Sequence, residues 1–356
     1  MTTQRFFVGS YTHPLPHAPQ AQGRGVYGLS LDPETGQLSP AQLLAELPQP
    51  SFLAAHPSLP VLYAVSEVQQ GQLSAARAAP DGTLERLGQQ STQGDSPVHV
   101  RVDALGRWAL AVNYVSGVSV LAYPLEENGQ PGPCAARAQH HGHGPNRQRQ
   151  GEPHPHSVTP APDARHAYVA DLGTDEVVTY DLAAGSLLTR LGTLHLPPGS
   201  GPRHLAFDAA GTLAFLTLEL SGSVAAIRRD PPRGSLDLLG VFPARPADAA
   251  GRSSPAEVLV SGRFVYLSNR GQDSTPSSLS VFGINPESGV LEPVQHLLLP
   301  DRTPRSCAFS PDGAWLLVAN QDSSSITVLE RDSASGELEL RDTFDCPTPT
   351  SVCFLP

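Results

Sequence analysis

The apolar residues of this chain fall into short runs separated by turns rich in Pro, Asp and Gly, and the runs repeat. Ser51-Phe-Leu-Ala-Ala-His-Pro-Ser-Leu-Pro-Val-Leu-Tyr-Ala-Val-Ser66 lines up with Ser306-Cys-Ala-Phe-Ser-Pro-Asp-Gly-Ala-Trp-Leu-Leu-Val-Ala-Asn320. Each reads as a short apolar strand, a turn, and a second apolar strand that usually ends on a polar residue. The same pattern fits Val98–Asn113, Ser157–Asp171, His204–Leu218 and, with a turn shorter by about two residues, Glu257–Asn269. The second strands end at Ser66, Asn113, Asp171, Leu218, Asn269 and Asn320, and Phe6-Phe-Val-Gly-Ser10 supplies a seventh. Successive ends lie 47 to 58 residues apart, near the roughly 40–50-residue period of four-stranded propeller blades.

A third strand follows most units, as in Gly25–Leu31, Val118–Tyr123, Val177–Tyr180, Val224–Ile227, Leu279–Phe282 and Ile326–Leu329. These segments alternate or are β-branched, as half-buried strands should be. A weaker fourth strand is expected after turns such as Asp32-Pro-Glu-Thr-Gly-Gln-Leu38 and Asp332-Ser-Ala-Ser-Gly-Glu-Leu338. The chain opens on a second-strand segment and closes on Pro349-Thr-Ser-Val-Cys-Phe-Leu355, which reads as a first strand. Pairing the two would complete a seventh blade and remove the sheet edges that an open ring exposes. The expected fold is therefore all-β: a single domain over residues 1–356, forming a seven-bladed β-propeller of four-stranded antiparallel blades. An α/β enzyme is disfavoured, because no amphipathic helical pattern of even about 12 residues is present.

Composition narrows the functional classes. The formal charge of −11 argues against nonspecific binding to nucleic acid or to an anionic membrane, so an anionic ligand would need a local cationic patch. No apolar run approaches the roughly 18 residues of a membrane span. Met1-Thr-Thr-Gln-Arg-Phe-Phe-Val8 lacks the parts of a secretory leader, and a cytoplasmic location is expected. Cys134, Cys307, Cys346 and Cys353 show no paired metal spacing and read as small buried thiols. No metal or cofactor is expected. The oligomeric expectation is a monomer or weak dimer.

In such blades, residues just before the first strands and just after the second strands line one mouth of the central channel. The first set includes Ser51, His99, His154, His156, Arg203, His204, Glu257 and Arg305. The second reads Tyr11, Glu67, Tyr114, Leu172, Glu219, Arg270 and Gln321. Most are polar although the strands that feed them are apolar. The stretch Gln150-Gly-Glu-Pro-His-Pro-His-Ser-Val158 closes a His-rich loop and delivers His154 and His156 to one side of an extended chain. An imidazole there can carry general acid–base chemistry. Upstream, His140, His141 and His143 read as a solvated loop tract. Arg203, in Gly201-Pro-Arg-His204, could donate a fork to a phosphate or an oxyanion, or make an interblade salt bridge. Arg270 and Arg305 read alike. Glu219 sits between apolar residues in Phe215-Leu-Thr-Leu-Glu-Leu220, where a lone carboxylate is costly unless a cation pairs with it. There is no G-x-S-x-G elbow, Walker loop or H-E-x-x-H motif, so a hydrolase on this chain would activate water directly.

The motifs as a set resemble the seven-bladed propeller lactonases, which include bacterial 6-phosphogluconolactonases and, in a fungal branch, carboxy-cis,cis-muconate lactonizing enzymes. The resemblance runs end to end. It rests on Phe7-Val-Gly-Ser-Tyr-Thr12, Pro50-Ser-Phe-Leu53, Leu62-Tyr-Ala-Val-Ser-Glu67, Ser96-Pro-Val-His99 and Gly144-Pro-Asn-Arg-Gln-Arg-Gln150. It continues in Pro153-His-Pro-His-Ser157, Tyr168-Val-Ala-Asp-Leu-Gly-Thr-Asp175, Gly201-Pro-Arg-His204 and Trp315-Leu-Leu-Val-Ala-Asn-Gln-Asp322. The resemblance implies a catalytic set of His156, Glu219, Arg203 and Arg270. Around it, His154, His204, His99, Glu67, Tyr114, Glu257, Arg305 and Gln321 are expected to contact substrate. The chain departs from its relatives at Glu257-Val-Leu259, where they often show Glu-x-His, and at Ser306, where they often carry Asn.

The expected activity is hydrolysis of a small anionic sugar lactone, 6-phospho-D-glucono-1,5-lactone foremost, with His156 or Glu219 as general base. Arginines gathered at one mouth of an acidic protein suit a phosphorylated substrate. Two alternatives stay open: lactonisation of a carboxylated muconate, and a non-enzymatic propeller used as a binding scaffold.

Overall fold

The computed structural model describes residues 3–115 and 117–356; Met1 and Thr2, part of the segment read above for a leader, and Ser116 lie outside it. The described residues form 28 strands and no helix. These make seven four-stranded antiparallel sheets, six of them in simple chain order. The seventh sets Pro349–Phe354 beside Gln4–Ser10, then Gly25–Leu31 and Gln42–Glu46. Its closing register pairs Phe6 with Phe354 and Val8 with Val352. The two ends of the chain thus share one blade, as the end segments predict.

The innermost strands are Pro50–Ala55, Pro97–Val102, Pro155–Pro160, Pro202–Phe207, Ser253–Ser261, Pro304–Phe309 and Pro349–Phe354. Each packs beside the inner strands of both neighbouring blades, all the way round. Seven apolar clusters fill the gaps, each shared by two adjacent blades. A blade is therefore apolar on both faces. This explains why the second strands read as unbroken apolar runs: Val61–Ser66, His166–Asp171, Leu213–Leu218 and Trp315–Asn320 are buried throughout. The outermost strand of a blade meets solvent and reverts to alternation, as in Leu236–Pro243.

Two local expectations are corrected. The second strand of one blade, Phe264–Gly271, runs two residues past Asn269, and its partner Ser253–Ser261 begins well before Glu257. Of the four free thiols, Cys307, Cys346 and Cys353 are buried but Cys134 is only half-buried.

Candidate active site

Every inner strand has a proline at its entry or, in Ser253–Ser261, as its third residue, followed by one extra residue with respect to the second strand. Pro155 pairs with Asp171 but Ser157 pairs with Ala170, and the same slip follows Pro50, Pro97, Pro202, Pro255, Pro304 and Pro349. A bulge of this kind re-aims a side chain and bends the strand. The residues at these bulges include His156, Arg203, His204, Glu257 and Arg305. They are thus inside the strands, not just before them as the repeat suggests.

The second set of mouth residues is fixed by one further rung. The N–H of Glu219 donates to the carbonyl of Gly201 at 2.7 Å, that of Tyr114 to Ser96 at 2.9 Å and that of Gln321 to Thr303 at 3.0 Å. Glu67, Leu172 and Tyr11 repeat the pattern. Gly201 has φ +62°, and a Cβ there would lie 2.3 Å from Leu220 Cγ. Ser96 and Thr303 hold the same rung at φ +54° and +59°, so here it is the close approach of Leu220 that favours glycine.

Glu219 is the hub of the mouth. Its Oε2 lies 3.1 Å from Arg203 Nε and 2.7 Å from Arg270 Nη2, and its Oε1 lies 2.8 Å from Arg149 Nη2. Burial works to raise its carboxyl, but Arg270, Arg203 and Arg149 outweigh that and hold it well below the usual carboxylate range. Arg203 is 1% exposed, and its Nη1 donates to the Ala256 carbonyl at 2.7 Å. Burial, with Arg270 and Arg305 nearby, pushes it down to about 9, so it stays charged at neutral pH. Arg203 Nε and Arg270 Nη2 touch Glu219 as charges but lack an aligned hydrogen-bond acceptor.

Three histidines form a column below this hub. The ring of His156 lies 5.3 Å from that of His204, which lies 5.1 Å from that of His99. Burial first, then Arg203 and His204, holds His156 well below the usual imidazole range. Its Nδ1 has no partner among the described residues. His204 Nδ1 meets Glu257 Oε1 at 2.8 Å while its Nε2 is unpartnered, and burial and Arg203 keep it neutral. Glu257 also accepts from Ser306 Oγ at 3.2 Å, and burial raises its carboxyl. Ser306, one of the departures from the relatives, is thus bonded to the Glu that precedes the other departure, Leu259. His99 is buried, its ring tilted against that of Phe52 with centroids 4.1 Å apart.

The other expected residues divide. Tyr114 faces the hub: its hydroxyl accepts from Arg149 Nη2 at 3.4 Å, and its ring edge meets His156 at 5.5 Å. His154 does not, since its Nδ1 lies 2.7 Å from the Tyr114 carbonyl and its ring stacks on Tyr114. It is a support beneath Tyr114. Arg305 lies 5.2 Å over the Tyr11 ring and reaches Gln321 Oε1 at 3.4 Å. Glu67 accepts from the Tyr11 hydroxyl at 2.9 Å, and Gln321 donates to the His17 carbonyl at 2.8 Å. Glu67 and Gln321 thus act on the mouth through Tyr11, His17 and Arg305.

His140 corrects the reading of its loop. It is buried, with Nδ1 2.6 Å from Asp171 Oδ2 and Nε2 2.9 Å from the Tyr180 hydroxyl, whereas His141 and His143 are exposed. Asp171 also accepts from the N–H groups of His154 and Gly173, so His140 anchors the loop that delivers His156.

Two residues were missed. Arg149 reaches Glu219 from that same loop, and His17 reaches the Tyr11 hydroxyl at 3.0 Å from the loop after the first strand. Neither lies at a repeat position. The arginine pair in Asn146-Arg-Gln-Arg149 was the available signal for the first; the second had none. At neutral pH the mouth holds four guanidiniums (Arg149, Arg203, Arg270, Arg305) against Glu219 and Glu67, with neutral imidazoles between them. It is a cationic, largely buried site, suited to stabilise an oxygen that gains negative charge.

Comparison with known proteins agrees with this geometry. A protein of Bacillus subtilis (strain 168) named 6-phosphogluconolactonase is 34% identical over 360 residues, covering 100% of this chain and 99% of its own. One of the same name from Formosa agariphila is 30% identical, covering 94% of each. The solved structure of a periplasmic gluconolactonase from Pseudomonas aeruginosa superposes with a TM-score of 0.89 at 30% identity, over 100% of this chain and 99% of that one. Residues 5–354 match the family described as "Lactonase, 7-bladed beta-propeller", and the chain belongs to that family.

Proposed function

We propose that this chain hydrolyses the internal ester of a sugar lactone, 6-phospho-D-glucono-1,5-lactone foremost, at the mouth around Glu219. The observation that carries the reading is a pair of buried imidazole nitrogens, His156 Nδ1 and His204 Nε2, that have no partner among the described residues and lie beside the Arg203 and Arg270 guanidiniums gathered on Glu219. Buried polar atoms are nearly always satisfied, and a lactone carbonyl with an attacking water supplies the missing partners. The relatives named as lactonases support the same reaction class.

In this mechanism His156 is the general base. Both Glu219 oxygens are occupied by cations and its carboxyl is held low, so it is a weak proton acceptor and instead positions the arginines. His156 takes a proton from water as the water oxygen bonds to the lactone carbonyl carbon. The Arg203 and Arg270 N–H groups receive the oxyanion. That new negative charge offsets the guanidinium that depresses His156, so the base strengthens as the transition state forms. Collapse breaks the bond to the ring oxygen, and the imidazolium returns its proton there, giving the open hydroxy acid.

The test is a coupled assay for the acid product. Wild-type protein should exceed spontaneous hydrolysis, and His156→Ala should lose about 10²- to 10⁴-fold while keeping the wild-type melting temperature within a few degrees. Wild-type turnover no faster than the uncatalysed reaction would end the proposal.

A further inference from the structure

At the reacting centre the arginines already contact a carboxylate, Glu219. Arg203 and Arg270 are committed to Glu219 and to the carbonyl, and a phosphate placed between them would face the Glu219 carboxylate. A separate cavity of about 560 Å³ opens beside the mouth. Arg149, Arg245 and Arg252 line it, together with the hydroxyl of Ser254 and the amide of Gln272.

Two of its walls are walls of the reacting centre. Arg149 reaches Glu219 from one side. On the other, Ser254 accepts from Arg270 Nε through its carbonyl at 3.4 Å and from Gln272 Nε2 through its hydroxyl at 2.5 Å. Arg245 is held ready by the carbonyls of Ala250 and Gly251, at 3.3 and 2.7 Å, which orient the guanidinium without neutralising it. Among the described residues no carboxylate lines the cavity. Asp273, 3.7 Å from Arg252, is exposed and stands outside the lining. Three guanidiniums on one cavity run against a chain of net charge −11, and the planar fork of Arg matches phosphate oxygens two at a time.

We infer that this cavity is the subsite for a phosphate monoester, so that the lactone turned over here carries a phosphate remote from its reacting carbonyl. The inference rests on the lactonase reading of the neighbouring site. It separates a phosphorylated sugar lactone from an unphosphorylated one, which the reacting centre alone does not distinguish.

The test compares kcat/KM for 6-phosphoglucono-1,5-lactone and for glucono-1,5-lactone in wild type, Arg245→Gln, Arg252→Gln and the double variant. Circular dichroism melts would confirm that each variant is folded. The ratio of the two kcat/KM values should favour the phosphorylated lactone in wild type and fall about 10-fold or more with each substitution, the usual weight of a charged hydrogen bond. A ratio near one in wild type, or one unmoved in the double variant, overturns the subsite while leaving the lactonase reading in place. Calorimetric titration with glucose 6-phosphate and with glucose gives an independent arm. Glucose 6-phosphate bound by wild type and lost in the double variant supports the subsite even if neither lactone is turned over, a result that would instead defeat the lactonase reading.

Discussion

Glu219→Gln is the most informative single change, because it keeps the shape of the hub and removes its charge. Glu219 is 5% exposed, and it neutralises Arg203 and Arg270 at 3.1 and 2.7 Å. One unit pair at about 4 Å is worth about 4 kcal/mol at an effective dielectric constant of about 20. Removing one partner of a buried pair typically costs about 3–5 kcal/mol, since the remaining charge is left desolvated. Arg149 adds little to this, because its side chain is 43% exposed. With about 2.1 cal/mol/K of unfolding entropy per residue, a chain of this length has about 0.75 kcal/mol/K, so a loss of about 4 kcal/mol lowers Tm by about 5 °C. Adding Arg270→Gln should recover part of the loss, because one stranded cation goes with it. Thermal melts read the stability term, and the pH profile of kcat/KM reads the role. The Gln variant should lose about 10- to 100-fold in kcat/KM through misplaced arginines while keeping an acid limb, displaced to lower pH because the Glu219 charge that raises His156 is gone. A Tm within about 1 °C of wild type, or loss of the acid limb, would refute the positioning role of Glu219.

Acid should destabilise the fold well before the carboxylates titrate. His99, His156 and His204 are held neutral when folded but take up a proton near 6.5 when unfolded. Stability therefore falls as pH drops below about 6.5, by about 1.4 kcal/mol per pH unit for each imidazole. Glu257, raised by burial, works in the opposite sense and offsets at most one of them. Denaturant titrations between pH 8 and 5 check the slope, and a flat profile would contradict the neutral column. Deleting Pro349–Pro356 removes the strand that pairs with Gln4–Ser10 and exposes an unpaired edge. Light scattering and circular dichroism should show aggregation and no cooperative melt. His140→Phe removes its contacts to Asp171 and Tyr180 and should cost about 1–3 kcal/mol. The pH at which kcat/KM falls should be unchanged, because Asp171 still holds the N–H groups of His154 and Gly173.

The sequence by itself determined the blade count, six of the seven second-strand ends and the closure of the ring. Burial on both faces turns each second strand into an unbroken apolar run, and a polar residue at its end is visible against that run, as at Asn113, Asp171 and Asn320. His156, Arg203, Glu219 and Arg270 were legible for the same reason: each sits at a fixed place in a repeat. Tertiary structure alone decided how they pair. That Arg149 reaches Glu219 across 70 residues, or that His140 meets Asp171 across 31, follows from loop paths that no periodicity encodes. It also decided that Glu219 is saturated by cations and that His156 is left with a free nitrogen. Ionisation and pairing depend on distances between blades, and those distances exist only once the ring has closed.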